Sequence, residues 1–286
     1  MRWHRAPAKV NLTLRVTGRR PDGFHDIESL VAFADPSDWL GFRPARRFDL
    51  IVDGAGARDI GPLEQNLVAR AARALSAQVP GLLSGEFHLI KWLPAGAGIG
   101  GGSSDAAACL RALAEANGLS LLDTRVQAAA LNTGSDVPIC LSGRARMMAG
   151  IGDRVGAPVR LPSLFAVLVN PRQSLSTKDV FEALGMERRV LPDPQGALPA
   201  ACTPEVTLDA LQAGVNDLER AATKILPLIE EVLETLRGLP GARLARMSGS
   251  GSTCFAVFDD CRTAGHARRH VAARRPNWGV TTTAFR

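Results

Sequence analysis

The 286-residue chain is predicted to be an α+β protein of two domains. Short apolar runs of period two, closed by Gly, Pro or Asp, alternate with segments whose apolar residues recur at helical spacing. The length suits one large core or two ordinary ones. Composition also shifts near residues 150–160, where a glycine-rich stretch gives way to the apolar run LPSLFAVLVNP. These observations place the domains at 1–156 and 157–286.

The elements follow in order. AKVNLTLRVTG alternates Val10, Leu12, Leu14 and Val16 with polar partners and ends at Gly18, the pattern of one half-buried strand. Pro21, Asp22 and Gly23 then form a turn. RFDLIVDG and EFHLIKWL read as further strands. Between them Leu67, Ala71, Ala74, Leu75 and Gln78 recur at helical spacing. Ser103 or Ser104 is expected to cap a helix through AAACLRALAEAN, stopped by Asn117 and Gly118. Ser120 and Asp123 have capping-box spacing, with Asp123 as the inner carboxylate of a helix to Leu131.

Next, GSDVPICL leads into a strand, GRARMMAGIGDRVGAPV reads as a hairpin and LPSLFAVLVNP as a buried strand. RRVLPDPQGALPAACTP is proline-rich and reads as an irregular insertion. VNDLERAATKILPLIEEVLETLRGL is helical with a bend at Pro227. The chain closes with GARLARMSGSGSTCFAVF, a helix and a strand.

Composition narrows the function classes. Lys and Arg total 34 against 28 Asp and Glu, a net charge of +6. The basic clusters, RRPD near Arg19 and HARRHVAARR near Arg268, are short and lack interleaved aromatics. Anionic small molecules are therefore the expected partners, not nucleic acid. No apolar run approaches the roughly 18 residues of a membrane span, and the first residues lack a signal-peptide core. Five cysteines without a CxxC pair argue against a disulfide framework or a zinc site. Together these features point to the cytoplasm. They say nothing of oligomeric state.

LPAGAGIGGGSSDAAACL, residues 93–110, carries the chemistry. Gly96, Gly98 and Gly101 match the G-x-G-x-x-G of a dinucleotide fold, with an acid, Asp123, downstream. That acid continues directly into a helical pattern, and three consecutive glycines are unlike a tight Rossmann turn. A Walker loop needs a lysine after the glycines, and none follows. The remaining reading is a phosphate cradle. Glycine lets backbone N–H groups approach a polyphosphate, and a helix N-terminus aims its amides and dipole at the anion. Ser103, Ser104 and Asp105 stand where hydroxyls and a carboxylate would reach phosphate oxygens or magnesium.

PAKVNLTLRVTGRRPDGFHDIESL, LPAGAGIGGGSSDAA and RMSGSGSTCFAVF resemble, in this order, the three motifs of the GHMP kinases. The resemblance covers nearly the whole chain and is weakest at 184–204. It implies a ribosomal protein S5 domain 2-like N-terminal domain and a ferredoxin-like C-terminal domain. It also implies ATP as co-substrate, Mg2+ with it, and phosphoryl transfer to a hydroxyl of a small molecule. The GRRPDGFH block resembles members that act on a cytidine-diphosphate-linked polyol. Another GHMP small-molecule kinase, such as homoserine kinase, is the alternative.

The resemblance also implies residue roles. Asp136 would be the catalytic aspartate, and Lys9 its cationic companion at the reacting hydroxyl. ATP would be held along Pro94, Ala95, Gly96, Ala97, Gly98, Ile99, Gly100, Gly101, Gly102, Ser103 and Ser104, with Asn66 and Lys91 near the nucleoside. For the substrate, His25 would hydrogen-bond the base, Phe24 and Phe181 would supply aromatic faces, Thr177 would lie nearby, and Asn11 would orient the substrate or the catalytic pair. Ser248, Gly249, Ser250 and Gly251 would form a supporting glycine loop. Two positions depart from the pattern. The family commonly has tyrosine where Phe24 stands, and this chain has no tyrosine. It often has asparagine where Asp105 stands, and the metal ligands are not assigned.

Overall fold

The computed structural model describes residues 1–59, 61–185 and 208–286. The proline-rich insertion expected at 188–204 lies wholly outside them. The chain packs as two units, one of Met1–Lys9, Pro36–Ala95 and Gly100–Gly143, the other of Val10–Asp35, Gly96–Ile99 and Arg144–Arg286.

The strands begin with β1 (Arg2–Asn11), β2 (Arg15–Arg19), β3 (His25–Pro44), β4 (Asp49–Asp53) and β5 (Gly85–Ile90). Helix α1 (Leu67–Gln78) lies between β4 and β5. After β5 come α2 (Gly101–Ala116), α3 (Thr124–Thr133) and α4 (Val137–Ser142). In the first unit, β3 from Trp39 to Pro44 pairs antiparallel with β5, and β5 pairs parallel with β4. The four helices pack on one another, burying Val68, Ala72, Leu110, Leu113, Val126 and Ile139.

In the second unit, β3 from His25 to Glu28 pairs with β2, and its residues 27–31 pair with β6 (Arg146–Gly150), which continues to β7 (Arg154–Pro158). The C-terminal part adds β8 (Leu164–Asn170), α5 (Thr177–Ala183), α6 (Leu208–Ala213), α7 (Glu219–Ile225), α8 (Leu228–Arg237), β9 (Leu244–Met247), β10 (Cys254–Phe258), α9 (Cys261–Arg274) and β11 (Gly279–Phe285). Its antiparallel sheet has the order β11-β8-β10-β9. Numbered within that sheet the order is 4-1-3-2, with α8 packed on β9 and β10 and α9 on β8, β10 and β11. This is the ferredoxin-like arrangement. Among the described residues, no helix is long and apolar enough to cross a membrane.

Several local expectations are corrected. The single strand over AKVNLTLRVTG is two, β1 and β2, because Leu14 leaves the ladder. Its N–H donates to the Val215 carbonyl, and its own carbonyl accepts from Asp217. The buried face of α1 is Val68, Ala69, Ala71, Ala72 and Leu75, while Gln78 is exposed. Neither Ser103 nor Ser104 caps α2; Gly100 occupies that position, and Ser104 Oγ donates to the Pro7 carbonyl at 2.7 Å. Asp123 is itself the cap of α3, accepting from Arg125 N, not the inner acid of a capping box. VPICLS forms α4, not a strand; Pro138 within its first turn suits a helix start. The helix expected to bend at Pro227 is divided there into α7 and α8, and it is preceded by Asn216 in a β-bridge with Leu14 and by a turn over Asp217 and Leu218.

Candidate active site

Lys9 and Asp136 meet in the first unit. Lys9 Nζ donates to Asp136 Oδ2 at 2.7 Å; the lysine side chain is 6% exposed and the aspartate 32%. Asp136 stands at the head of α4, yet its carboxylate caps nothing there. The side chain is thus turned to the ammonium and half open. A buried ammonium needs such a partner, since an isolated charge taken from water is costly. Gly100 packs against the lysine stem, where a Cβ would lie 3.0 Å from Lys9 Cβ and 3.1 Å from Cε.

The glycine loop owes its path to positive φ at Gly96 (63°), Gly98 (72°) and Gly100 (61°), a region that L side chains rarely occupy. Gly100 stands at the cap of the 16-residue helix α2, which has no side-chain cap. The first amides of a helix have no intrahelical acceptor, and here no side chain caps those that open α2. Pro94, Ala95, Gly96 and Gly102 are exposed, while Ala97, Ile99 and Ser104 are buried. The sequence and this end of the helix fit a polyphosphate.

In the second unit the middle of this loop is braced by the third motif. Ser248–Thr253 joins β9 to β10. The Asn11 N–H donates to Ser248 Oγ at 3.1 Å, and that hydroxyl donates to the Gly98 carbonyl at 3.3 Å. Thr253 N–H donates to the Ala97 carbonyl at 3.1 Å. A Cβ on Gly98 would collide with the Gly251 carbonyl, and one on Gly249 would sit 3.1 Å from Asn11 Oδ1. Asn216 Nδ2 holds the loop from behind through the carbonyls of Met247 (2.8 Å) and Gly249 (2.9 Å). Asn170 Nδ2 reaches Thr253 Oγ1 at 2.9 Å, and Thr177 Oγ1 lies 2.8 Å from Ser250 Oγ. The Asn11 amide bonds Ser29 Oγ at 2.6 Å, so its side chain is anchored internally.

The β2–β3 turn presents the aromatic group. Arg20 N–H donates to the Phe24 carbonyl at 2.7 Å, Gly23 has φ of 91°, and Phe24 is left 57% exposed. His25 and Phe181 stack, with ring centroids 4.8 Å apart and planes inclined by 24°. One face of Phe181 is therefore covered by imidazole. His25 Nε2 is buried and has no hydrogen-bond partner among the described residues. Burial, helped by the nearby Arg19 guanidinium, holds its pKa below the ordinary histidine value. A neutral imidazole with a free ring nitrogen is suited to the polar edge of a base.

Lys91 and Asn66 are both engaged within the protein. Asn66 caps α1, its Oδ1 accepting from Val68 N at 2.9 Å. The Lys91 ammonium is buried on Asp38 Oδ2 (2.5 Å) and Asp105 Oδ2 (2.7 Å). Burial lowers its pKa, but the two carboxylates outweigh that and hold it above the usual lysine value. Asp38 escaped sequence reasoning because 53 residues separate it from Lys91; the sole hint is an acid inside an apolar strand. Asn170 and Asn216 likewise carry no local signal. As metal ligands, Ser104 and Asp105 do not fit, because the hydroxyl serves Pro7 and the carboxylate is enclosed with Lys91. No group of three or more His, Cys, Asp or Glu among the described residues is arranged for a metal.

The first unit thus holds a buried ammonium–carboxylate pair and a glycine-rich helix start without a side-chain cap, and the second a Gly-Ser loop that braces Ala97 and Gly98. Residues 66–144 match the GHMP kinases N terminal domain and residues 205–277 the GHMP kinases C terminal domain. The chain belongs to the GHMP kinase family and has its two-domain α+β fold. A relative from Methylobacterium radiotolerans, 4-diphosphocytidyl-2-C-methyl-D-erythritol kinase, is 51% identical over 99% of this chain and 98% of its own. A crystal structure of 4-(cytidine 5'-diphospho)-2C-methyl-D-erythritol kinase is 31% identical, with TM-score 0.76 over 99% of each chain. Homoserine kinase from Cytophaga hutchinsonii, at 17% identity and TM-score 0.70 over 99% of this chain and 93% of its own, shares the fold alone.

Proposed function

We propose that the chain transfers the ATP γ-phosphoryl group to the 2-hydroxyl of 4-diphosphocytidyl-2-C-methyl-D-erythritol, the kinase step of the non-mevalonate route to isoprenoid precursors. The observation that carries this reading is the 51% identity, end to end, with a relative of that name. The Lys9–Asp136 pair supplies chemistry for it. The homoserine kinase alternative has only a fold likeness behind it.

In this reading residues 1–156 carry the ATP loop and the catalytic pair, and 157–286 carry the bracing loop. ATP phosphates lie on the amides from Gly96 to Ser104, with Asn66 Nδ2 near the nucleoside. His25 Nε2 takes the polar edge of cytosine, while Phe24 and Phe181 flank the base; Thr177 and Asn11 support from Ser250 and Ser29. Asp136 accepts the proton of the 2-hydroxyl as its oxygen bonds to the γ-phosphorus. The bond to the β–γ bridging oxygen breaks, and ADP leaves with that electron pair. Lys9 orients Asp136, and its charge offsets the negative charge that develops on the attacking oxygen. Mg2+ enters as the usual companion of ATP, and no step is assigned to it. The chain would act in the cytoplasm.

The test is an ADP-release assay offering the diphosphocytidyl substrate, homoserine and mevalonate in parallel. Turnover with the first at least a hundredfold above the others supports the proposal; turnover with homoserine or mevalonate alone overturns it.

A further inference from the structure

Asp38, Lys91 and Asp105 have no part in the chemistry proposed above, yet they form the most deeply buried ionic cluster of the first unit. Asp38 lies in β3, Lys91 directly follows β5, and Asp105 is the fifth residue of α2. Their side chains are 0%, 5% and 4% exposed. Two carboxylates around one ammonium leave an uncompensated charge out of water, a costly arrangement for packing alone. Asp105 Oδ1 adds to that cost, being buried without a hydrogen-bond partner among the described residues.

The bonds run to both ends of the glycine loop. Asp38 Oδ1 accepts from the N–H groups of Trp92 (2.5 Å) and Leu93 (2.8 Å), the residues that open the loop. Asp38 Oδ2 takes the Lys91 ammonium, which also holds Asp105 in α2, where the loop ends. A Cβ on Gly101 would lie 3.5 Å from Lys91 Nζ and 3.7 Å from Asp38 Oδ2, so the helix start rests on the cluster. Lys91 is itself fixed by its backbone, N–H to Asp53 O at 2.7 Å and C=O from Gly56 N–H at 3.0 Å.

We infer that Asp38, Lys91 and Asp105 are positioning residues, a buried clamp that sets the spacing between the two ends of the phosphate loop and so governs ATP affinity without touching the nucleotide. This rests on the reading of the loop as the ATP site. The clamp also holds a proton. Burial raises the Asp105 carboxyl, Lys91 pulls it back and Asp38 raises it again, leaving it at about 7. Lys91 and Asp38 are the charged groups acting on it. Protonated, Asp105 neutralises the cluster. Ionised, it leaves net negative charge behind the phosphate site, which opposes ATP.

The test measures binding of a non-hydrolysable ATP analogue by calorimetry between pH 6 and 8.5. Wild type, Asp105→Asn and Lys91→Met are compared, each checked for folding by circular dichroism. Wild-type affinity is expected to fall about tenfold more steeply across that range than that of Asp105→Asn, which keeps pH 6 affinity within threefold. Titration of the analogue itself cancels in the comparison. Lys91→Met is expected to lose at least tenfold in analogue affinity and less than twofold in CDP affinity. Equal pH slopes for wild type and Asp105→Asn overturn the clamp, as does a folded Lys91→Met with wild-type affinity. If Lys91→Met does not fold, the pH comparison decides. Failure of wild type to bind the analogue, with CDP still bound, overturns the ATP reading and the clamp together.

Discussion

Gly100 and the Lys9 side chain are in contact along the stem of the lysine: a Cβ added at Gly100 would lie 3.0 Å from Lys9 Cβ and 3.1 Å from its Cε. Gly100 also has φ of 61°. Gly100→Ala therefore presses on Lys9 as well as straining the backbone, the latter by about 1–2 kcal/mol. The expected outcome is a fall in kcat of more than tenfold together with a lower urea midpoint. A variant that loses stability but keeps wild-type kcat contradicts the coupling.

Ser248 Oγ sits between the Asn11 N–H and the Gly98 carbonyl. Ser248→Ala leaves a buried donor unpaired, which costs about 1–3 kcal/mol. Urea unfolding should show that loss, with an unchanged m-value. A change below about 0.5 kcal/mol, the range of an ordinary surface substitution, contradicts the bracing role.

His25 has a pKa below 6.5 in the folded chain, through burial first and Arg19 second. Below the unfolded-state value the unfolded chain takes up the proton before the folded one does. The imidazole therefore lowers stability as pH falls under about 6.5 and has no such effect above it. Proton NMR should place the His25 midpoint below 6.5, with CDP affinity falling on the acid side. A midpoint at or above 6.5 contradicts this.

Phe181 covers one face of His25. Phe181→Ala should weaken CDP binding roughly 3–10-fold, the worth of an aromatic pair, leave ATP-analogue binding unchanged, and raise the His25 midpoint toward 6.5. Phe24→Tyr, at an exposed position, should alter stability by less than about 0.5 kcal/mol. Any effect on the cytidine substrate should appear in KM and not in kcat.

Much of the architecture was legible from periodicity. β4, β5, β8, the β6–β7 hairpin and α1 follow from apolar patterns bounded by turn residues. The misses have tertiary causes. The alternation continues unbroken through Leu12 and Leu14, so nothing local announces that Leu14 pairs with the chain around Asn216. VPICL is a short apolar run that periodicity cannot assign to helix or strand, and a buried helix won. Ser104 had the composition of a cap, but the Pro7 carbonyl took its hydroxyl.

At the site, Lys9, His25 and Asp136 were legible only through their place in family motifs. Distances such as 127 residues between Lys9 and Asp136 leave no periodic trace. The cluster of Asp38, Lys91 and Asp105 was invisible for the same reason, and Asp105 was further obscured by standing where asparagine is common.

The central claim is that the Lys9–Asp136 pair performs phosphoryl transfer to the diphosphocytidyl polyol. Its most direct test is the single-turnover rate of ADP formation for wild type, Asp136→Asn and Lys9→Met, at saturating ATP and 4-diphosphocytidyl-2-C-methyl-D-erythritol. A positioned proton acceptor is worth about 10²–10⁴ in rate, so Asp136→Asn should lose that much, Lys9→Met at least a hundredfold, and both should bind CDP and the ATP analogue within threefold of wild type. A rate for Asp136→Asn within twofold of wild type would contradict the account.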